Sequence, residues 1–492
     1  MGVIFRQTLK SSIYSYSGVI IGFISVGFLM PKFLSTEEIG VIRQIQYYSM
    51  LLASFASIGL PQSIVRLFPH FVNKTNKNHG FITLISIITT FSAVIFTLFF
   101  LWFSKDLLKN DILKSPLFSQ YYKLIIPFTL ATLIFMIIDS YSNVQKESTI
   151  GIFLKDFLLR LTIFILLTIY AFTHILNYHN FISWYIILQF TPIIGALLFL
   201  RKKGLLYTSL KFSFPSPNIR KEFIQTSSYN WINILSSVAV VTIDSIMLSK
   251  YTNSSTVGIY TTITFFAGLI LIPNKSMGKI SNVIIANYFK NNEFKNIESI
   301  YKKSALNPLI AGAFLLGNLI LTIPIIFEFI LTPEYYIGSI SLVVLAFSNF
   351  LKMGTGLKYN VILNSPYYKW NTFLFIGFMA LLIFTNMIFI PLYGISGAAW
   401  ASFISTLLFH LAGIVLIYKK YLIHPFNMQW LKVLLLFSII FIICYFIPPF
   451  GQIWIDTCIK VSVFSLGFSF FTFKLKLSTD INHQLDQFIS KF

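Results

Sequence analysis

Charge is scarce in this chain. Of 492 residues, 11% are Asp, Glu, Lys or Arg, against about 25% in an ordinary soluble protein. That shortage excludes a water-soluble enzyme. Acids are scarcer still, with 16 Asp and Glu against 37 Lys and Arg and a net charge of +21. The bases fall in short pieces between apolar runs rather than on a soluble basic domain, so a nucleic-acid binder is excluded as well. Cysteine is nearly missing: Cys444 and Cys458 lie in the last two apolar runs, where neither a disulfide framework nor a metal site arises. There is no Walker-type loop and no soluble segment large enough for a nucleotide-binding domain, which excludes ATP-driven pumping by this chain alone. The longest external loop, 104–120, is too short for an enzymatic domain and holds no histidine–acid or serine–histidine arrangement. His174 and His179, after the fifth run, are expected to be solvated. Neither an enzyme nor a cofactor is implied.

What is abundant is apolar sequence, at 56% of residues. Runs long enough to span a bilayer fall at 12–30, 41–68, 80–103, 121–144, 150–171, 181–200, 222–249, 257–287, 304–330, 337–362, 370–390, 394–418, 431–450 and 452–476. A helix needs about 20 residues to cross the hydrocarbon core, so the expectation is an all-α polytopic membrane protein with about 14 transmembrane helices. Continuous runs of this length exclude a β-barrel. The first run ends Ser25-Val26-Gly27-Phe28-Leu29-Met30-Pro31 with no Ala-x-Ala-like site, so it reads as a retained span. Breaks are expected at Gly59-Leu60-Pro61, Pro273 and Pro324, where neighbouring helices or a wet cavity satisfy the freed carbonyls. With the N-terminus in the cytoplasm, about 21 basic residues lie inside and about 5 outside, which predicts both termini cytoplasmic.

Lys32-Phe33-Leu34-Ser35-Thr36-Glu37-Glu38-Ile39-Gly40-Val41 aligns without gaps to Lys250-Tyr251-Thr252-Asn253-Ser254-Ser255-Thr256-Val257-Gly258-Ile259. The shift spans six helices, an even number that preserves orientation. Two parallel six-helix lobes are therefore expected, 1–208 and 222–418, joined by a basic cytoplasmic connector at 209–221. Two further helices and a cytoplasmic tail follow at 419–492. Substrate sites in repeat-built transporters lie between lobes near the midplane.

An ionisable residue at mid-membrane costs roughly 2.5–3.5 kcal/mol on insertion scales, so each one needs a reason. Bases at depth (Arg66, Lys155, Arg160, Lys275, Lys279, Lys352 and Lys358) outnumber the acids Asp139, Asp156 and Asp244. A cavity that attracts anions is the simplest explanation, and lysine, a point charge, suits a diphosphate. Lys275, Lys279 and Lys352 are too central to snorkel, whereas Arg66, Lys155 and Lys358 sit close enough to an interface to reach it. Asp156 and Arg160, four apart, are spaced to pair. Asp139 and Asp244 are either coupling-ion or proton sites or partners of a lysine. Gly18 and Gly22 serve packing within a lobe or dimerisation.

Ile390-Pro391-Leu392-Tyr393-Gly394-Ile395-Ser396-Gly397-Ala398-Ala399-Trp400-Ala401-Ser402, preceded by Asn386, resembles the motif between the eleventh and twelfth helices of polysaccharide flippases. Pro391 should end one helix and Gly394 allow the turn, while Gly397, Ala401 and Ser405 let the returning helix pack closely. Asp244-Ser245-Ile246-Met247-Leu248 with Val257-Gly258-Ile259-Tyr260 is similar to that family's seventh-helix pattern. Residues 33–40 and Gly59-Leu60-Pro61 resemble its first-helix exit and second-helix break. The resemblance covers about residues 10–420 and is to the Wzx-type branch of the multidrug/oligosaccharidyl-lipid/polysaccharide exporter (MOP) superfamily.

The resemblance implies a V-shaped pair of lobes, as in multidrug (MATE-type) exporters. It also implies movement of an undecaprenyl-diphosphate-linked oligosaccharide across the bacterial inner membrane by alternating access, for O-antigen or capsule synthesis. Expected partners are that lipid, the bilayer and the polysaccharide polymerase or ligase machinery. On this reading Lys275, Lys279 and Lys352 hold the diphosphate, Arg66, Lys155 and Arg160 collect it at the cytoplasmic mouth, and Asp139 or Asp244 couples to an ion. The alternatives are a cation-coupled multidrug antiporter, a lipid II flippase and a non-transporting scaffold. The antiporter should show clustered acids, and the scaffold leaves the central lysines unexplained.

Overall fold

The computed structural model describes residues 3–72, 77–173, 175–206, 216–273 and 284–483, and those described are helical apart from short connections. Eleven helices among them are long and apolar enough to cross a membrane. The number is twelve when Thr36–Ala56 and Leu60–Phe71, bent by 49°, form one broken crossing. Fourteen were expected, and two features bear on the difference. The fifth run, expected at 150–171, is interrupted by a π-helical turn, Phe153–Leu158, that carries Lys155 and Asp156. The helix Lys369–Tyr421 counts once, although Gly394 at φ 55° and ψ −126° breaks it.

The chain divides into two compact units, Met1–Thr261 and Thr262–Phe492. In the first, α1 is Val3–Gly22, α2 Thr36–Ala56, α3 Leu60–Leu67, α4 Phe81–Leu107, α5 Lys109–Lys114, α6 Pro116–Tyr121, α7 Ile125–Val144, α8 Ser148–Ile152, α9 Leu159–Thr173, α10 Tyr178–Leu188, α11 Thr191–Lys202 and α12 Pro217–Tyr251. The helix α13, Ser254–Gly268, passes into the second unit. There follow α14 Phe294–Ile325, α15 Ser339–Gly354, α16 Lys358–Leu363, α17 Lys369–Tyr421, α18 Met428–Tyr445 and α19 Ile453–Lys474.

Local chemistry sets these boundaries. Ser35 and Glu38 form a reciprocal capping box that starts α2, satisfying two amide groups a helix leaves open. Gly59, at φ 73°, makes the break before α3, and a β-carbon there would come within 2.0 Å of the Ser227 carbonyl oxygen on α12. Pro324, which removes one helical hydrogen bond, is followed by a π-helical turn, Ile326–Ile330. In α17 the chain continues helically past Pro391 and turns at Gly394, so the glycine rather than the proline ends the first segment. The returning segment packs as its small residues predict. A Gly397 β-carbon would meet the Phe389 carbonyl oxygen at 2.0 Å, and Ser405 Oγ lies 3.0 Å from Thr385 Oγ1.

The two repeat segments meet inside the first unit. Asn253 caps the Thr256 amide at 3.0 Å, at the register position of Ser35. A β-carbon on Gly40 would fall 1.7 Å from the Ser254 carbonyl oxygen, and one on Gly258 would fall 2.0 Å from that of Thr36. In the repeat register Thr36 corresponds to Ser254 and Gly40 to Gly258, so one contact is made twice, as across a two-fold axis. Thr36 Oγ1 and Ser255 Oγ lie 2.6 Å apart, and Ser254 Oγ donates to Gln44 Oε1 at 2.6 Å. Small residues let the two backbones touch, and hydroxyls secure them where water is scarce.

Candidate functional site

The charged residues of the first unit are largely occupied by one another and by backbone. Arg160 donates to the Gly18 carbonyl oxygen at 2.9 Å and fills the space beside Gly22. The spacing pairs Arg160 with Asp156, but its hydrogen bond goes to α1, because a close approach of Gly18 to residue 156 brings that carbonyl within reach. Gly18 and Gly22 therefore serve packing within the unit. Asp139 sits where Gly151 has no side chain, a β-carbon there falling 1.7 Å from its Oδ1, and Asn143 Nδ2 donates to it at 3.4 Å. Lys155 stacks over the Phe135 ring at 5.2 Å and feels the charges of Asp139 and Asp156. Asp244 is buried and accepts the Tyr260 hydroxyl at 3.0 Å. Arg66 is exposed and pairs with Glu222 on α12 at 3.4 Å.

The second unit presents the opposite arrangement. A cavity of about 420 Å³ is lined by Lys352 from α15, by Lys358, Tyr359 and Asn360 from α16, and by Asn371, Phe375, Phe409 and His410 from α17. No acidic residue is among its lining residues. Lys358 is 5% exposed, donates to the Phe409 carbonyl oxygen at 3.1 Å and sits 3.8 Å over the Phe409 ring. Gly413 leaves room for its stem, a β-carbon there lying 3.0 Å from Lys358 Cδ. His410 Nδ1 is 2.6 Å from Thr355 Oγ1, and Lys352 Nζ donates to Asn349 Oδ1 at 3.1 Å. Two lysine side chains and an imidazole thus share a partly apolar chamber of the size ligand pockets have. Such a chamber attracts a doubly charged oxyanion and offers aromatic faces to whatever it carries.

Of the bases expected in an anion site, the structure brings Lys352 and Lys358 to one cavity and Lys155 and Arg160 to another place. Lys275 and Lys279 lie outside the described residues. Lys358, close enough to an interface to snorkel by position along the chain, instead turns inward beneath Phe409. His410 and Asn371 complete the lining without having been singled out. The signal for His410 was a lone polar ring in the run 394–418.

The class these features define is the polytopic membrane transporter. The family profile described as "Polysaccharide biosynthesis protein" matches residues 6–285. The chain belongs to that family, within the MOP superfamily. Its fold is similar to that of a solved structure titled lipid II flippase MurJ, inward closed conformation. The TM-score is 0.71 at 16% identity, over 94% of this chain and 99% of that one. It is also similar to an inward-facing multidrug resistance MATE family transporter of the MOP superfamily, with a TM-score of 0.67 at 13% identity over 82% and 94% of the two chains. An outward-facing MATE family transporter scores 0.57 at 13% identity over 84% and 95%. No curated protein matches the sequence. The matched proteins are transporters and flippases, not enzymes.

Proposed function

We propose that this protein flips an undecaprenyl-diphosphate-linked oligosaccharide from the cytoplasmic to the periplasmic leaflet of the bacterial inner membrane, for O-antigen or capsule synthesis, by alternating access. The observation that carries the reading is the basic cavity of the second unit, where Lys352, Lys358 and His410 stand without a carboxylate among the lining residues. A permanent counter-ion would compete with a diphosphate, and no acid stands among the described lining residues. Lys275 and Lys279 join the diphosphate-binding set by their spacing in the sequence. Arg66, Lys155 and Arg160 act before it, at the cytoplasmic side, and Asp139 or Asp244 takes the coupling ion.

The topology that goes with this reading has fourteen crossings and cytoplasmic termini, with lobes at 1–208 and 222–418 and two added helices after 419. On it, the reciprocal contact of Thr36 and Gly40 with Ser254 and Gly258 lies on the periplasmic side and belongs to a closed outer gate. The polysaccharide polymerase or ligase would receive the product.

The test is lipid extraction from cells lacking the protein. Accumulation of a diphosphate-linked oligosaccharide with loss of surface polysaccharide, reversed by the wild type but not by Lys358→Met, is expected. Accumulation of lipid II instead would move the cargo to a peptidoglycan precursor. An unchanged lipid pool with new drug sensitivity would overturn the flippase reading in favour of an antiporter.

A further inference from the structure

The most deeply buried acid among the described residues is one that the cavity does not use. Asp111 lies on the short helix α5, in the loop between two crossings, and is 2% exposed. Its Oδ2 accepts the Tyr48 hydroxyl at 3.1 Å, while Oδ1 is buried with no hydrogen-bond partner. A carboxylate accepts at both oxygens, so burying one of them empty is costly for the charged form and much less so for the acid. Burial accordingly pushes the Asp111 carboxyl above the ordinary carboxylate range, against smaller opposing contributions from Ser249, Tyr48 and Lys250.

The surroundings show what the loop holds. Lys114 donates to the carbonyl oxygens of Lys250 and Tyr251, both at 2.8 Å, and so caps the C-terminal end of α12, where a cation is favoured. Ser115 Oγ donates to Glu37 Oε1 at 2.7 Å, beside the N-terminus of α2. Tyr48 Oη itself lies 3.5 Å from Ser249 Oγ on α12. Residues 108–115 thus form a clasp between α2 and the C-terminal end of α12, just before the chain enters α13, which makes the repeat-to-repeat contact with α2. The groups that act on the Asp111 carboxyl are Tyr48 from α2, Ser249 and Lys250 from α12, and its own backbone amide. Lys105 and Asp106, at the end of α4, are exposed.

We propose that Asp111 is a proton-binding site that operates this clasp: protonated, it seats residues 108–115 across α2 and α12, and ionised, it releases them. The step is the gain of one proton by the carboxylate from bulk water and its return there, with no other bond made or broken. A seated state whose carboxyl binds its proton more tightly than the released state is favoured at low pH, and it is lost as pH rises through the raised pKa. The inference stands on the clasp geometry and not on the cargo. On the proposed orientation it lets an acidic external medium hold the outer gate shut.

Hydrogen exchange of the full-length protein in lipid nanodiscs, followed by mass spectrometry and normalised to intrinsic rates, tests it. Protection of 108–115 should fall about tenfold per pH unit between the ordinary carboxylate pKa and the raised one, the slope of a single proton, and level off above it, with 250–259 following. Asp111→Asn, the neutral isostere, should keep the clasp protected at every pH. Tyr48→Phe removes the donor to the carboxylate and should move the loss of protection to higher pH. Lys114→Met should loosen the clasp equally at all pH values. Protection in the wild type that does not change with pH overturns the proposal without reference to any variant. An unshifted midpoint in Tyr48→Phe, or a wild-type pH response retained in Asp111→Asn, overturns it as well.

Discussion

The two units treat a lysine inside the membrane in opposite ways. In the first, Lys155 lies within the fields of Asp139 and Asp156, and the neighbouring Arg160 is spent on the Gly18 carbonyl. In the second, Lys358 has an aromatic face and one backbone carbonyl around it, in a cavity lined by no acid. The first arrangement is internally neutralised and holds helices together. The second buries a lysine with no acid among the described lining residues, which makes its charged form costly unless an anion occupies the cavity. Depth in the membrane does not separate these two cases. What separates them is the chemistry that the neighbouring helix offers.

The largest effect that would break this comparison is at Lys358. On the proposed function Lys358→Met would remove a charge-assisted contact to the cargo worth about 1.5–3 kcal/mol, so export should fall roughly 10- to 150-fold. The same change replaces a buried cation by an apolar side chain of similar volume. Thermal stability of the purified variant should hold or rise, by up to about 4 kcal/mol in comparable cases. Export and stability falling together would show instead that Lys358 is a structural group held by Phe409.

The sequence carried the framework well and the site unevenly. Apolar runs, the glycine breaks and the gapless match of 32–41 to 250–259 were legible because each depends on local composition, whereas the close approach of the two matched segments at Gly40 and Gly258 was not read from it. Side-chain destinations were not. Four-residue spacing pairs Asp156 with Arg160 within a helix, but it says nothing of a carbonyl exposed on α1 at Gly18. Position along the chain places Lys358 near an interface and cannot tell that Gly413 opens an inward path for its stem. His410 was visible as a lone ring in an apolar run. Asp111, in a short polar loop, carried no signal, since burial of a loop is decided wholly by what it docks on.

Glycine substitutions sharpen the contrast at the next level of size. At Gly151 a β-carbon would collide with the Asp139 carboxylate oxygen at 1.7 Å, so that carboxylate, held by Asn143 at 3.4 Å, would have to turn away. Gly151→Ala should cost about 1–3 kcal/mol, as overpacking of an ordered interior does. At Gly413 the neighbour is a flexible lysine stem 3.0 Å away. Gly413→Ala should cost under about 1 kcal/mol of stability, since the stem can give way, and its effect should appear in export instead. Thermal unfolding of the two variants in one detergent measures both.

A smaller effect is expected from uncoupling the first cluster. Lys155→Met and Asp139→Asn should each destabilise by about 1 kcal/mol or less, as an ion pair with an exposed partner does. The double variant should recover part of that loss, a coupling of about 0.5 kcal/mol or more. Strict additivity would mean that the two charges do not sense each other, and the claim that this unit is internally neutralised would then fail.

The smallest expected effect lies where the second unit does spend an acid. Asp480, beyond α19, pairs with Lys303 at 2.9 Å and accepts from Asn307 at 3.1 Å, and the lysine's hydrogen bond holds its carboxyl below the usual range. Its sign is opposite to that of Asp111. A depressed carboxyl contributes stability that is present above its unfolded pKa and is lost as pH falls through the lowered folded value. Both partners are about half exposed, so the pair is worth only about 0.2–1 kcal/mol. Acidification should therefore loosen residues 478–482 from α14 while it tightens 108–115 on α12, and Asp480→Asn should remove the first response alone. The acid of this unit tethers its chain end, away from Lys352 and Lys358, and restoring export after Lys358→Met by any change at Asp480 would contradict that division of labour.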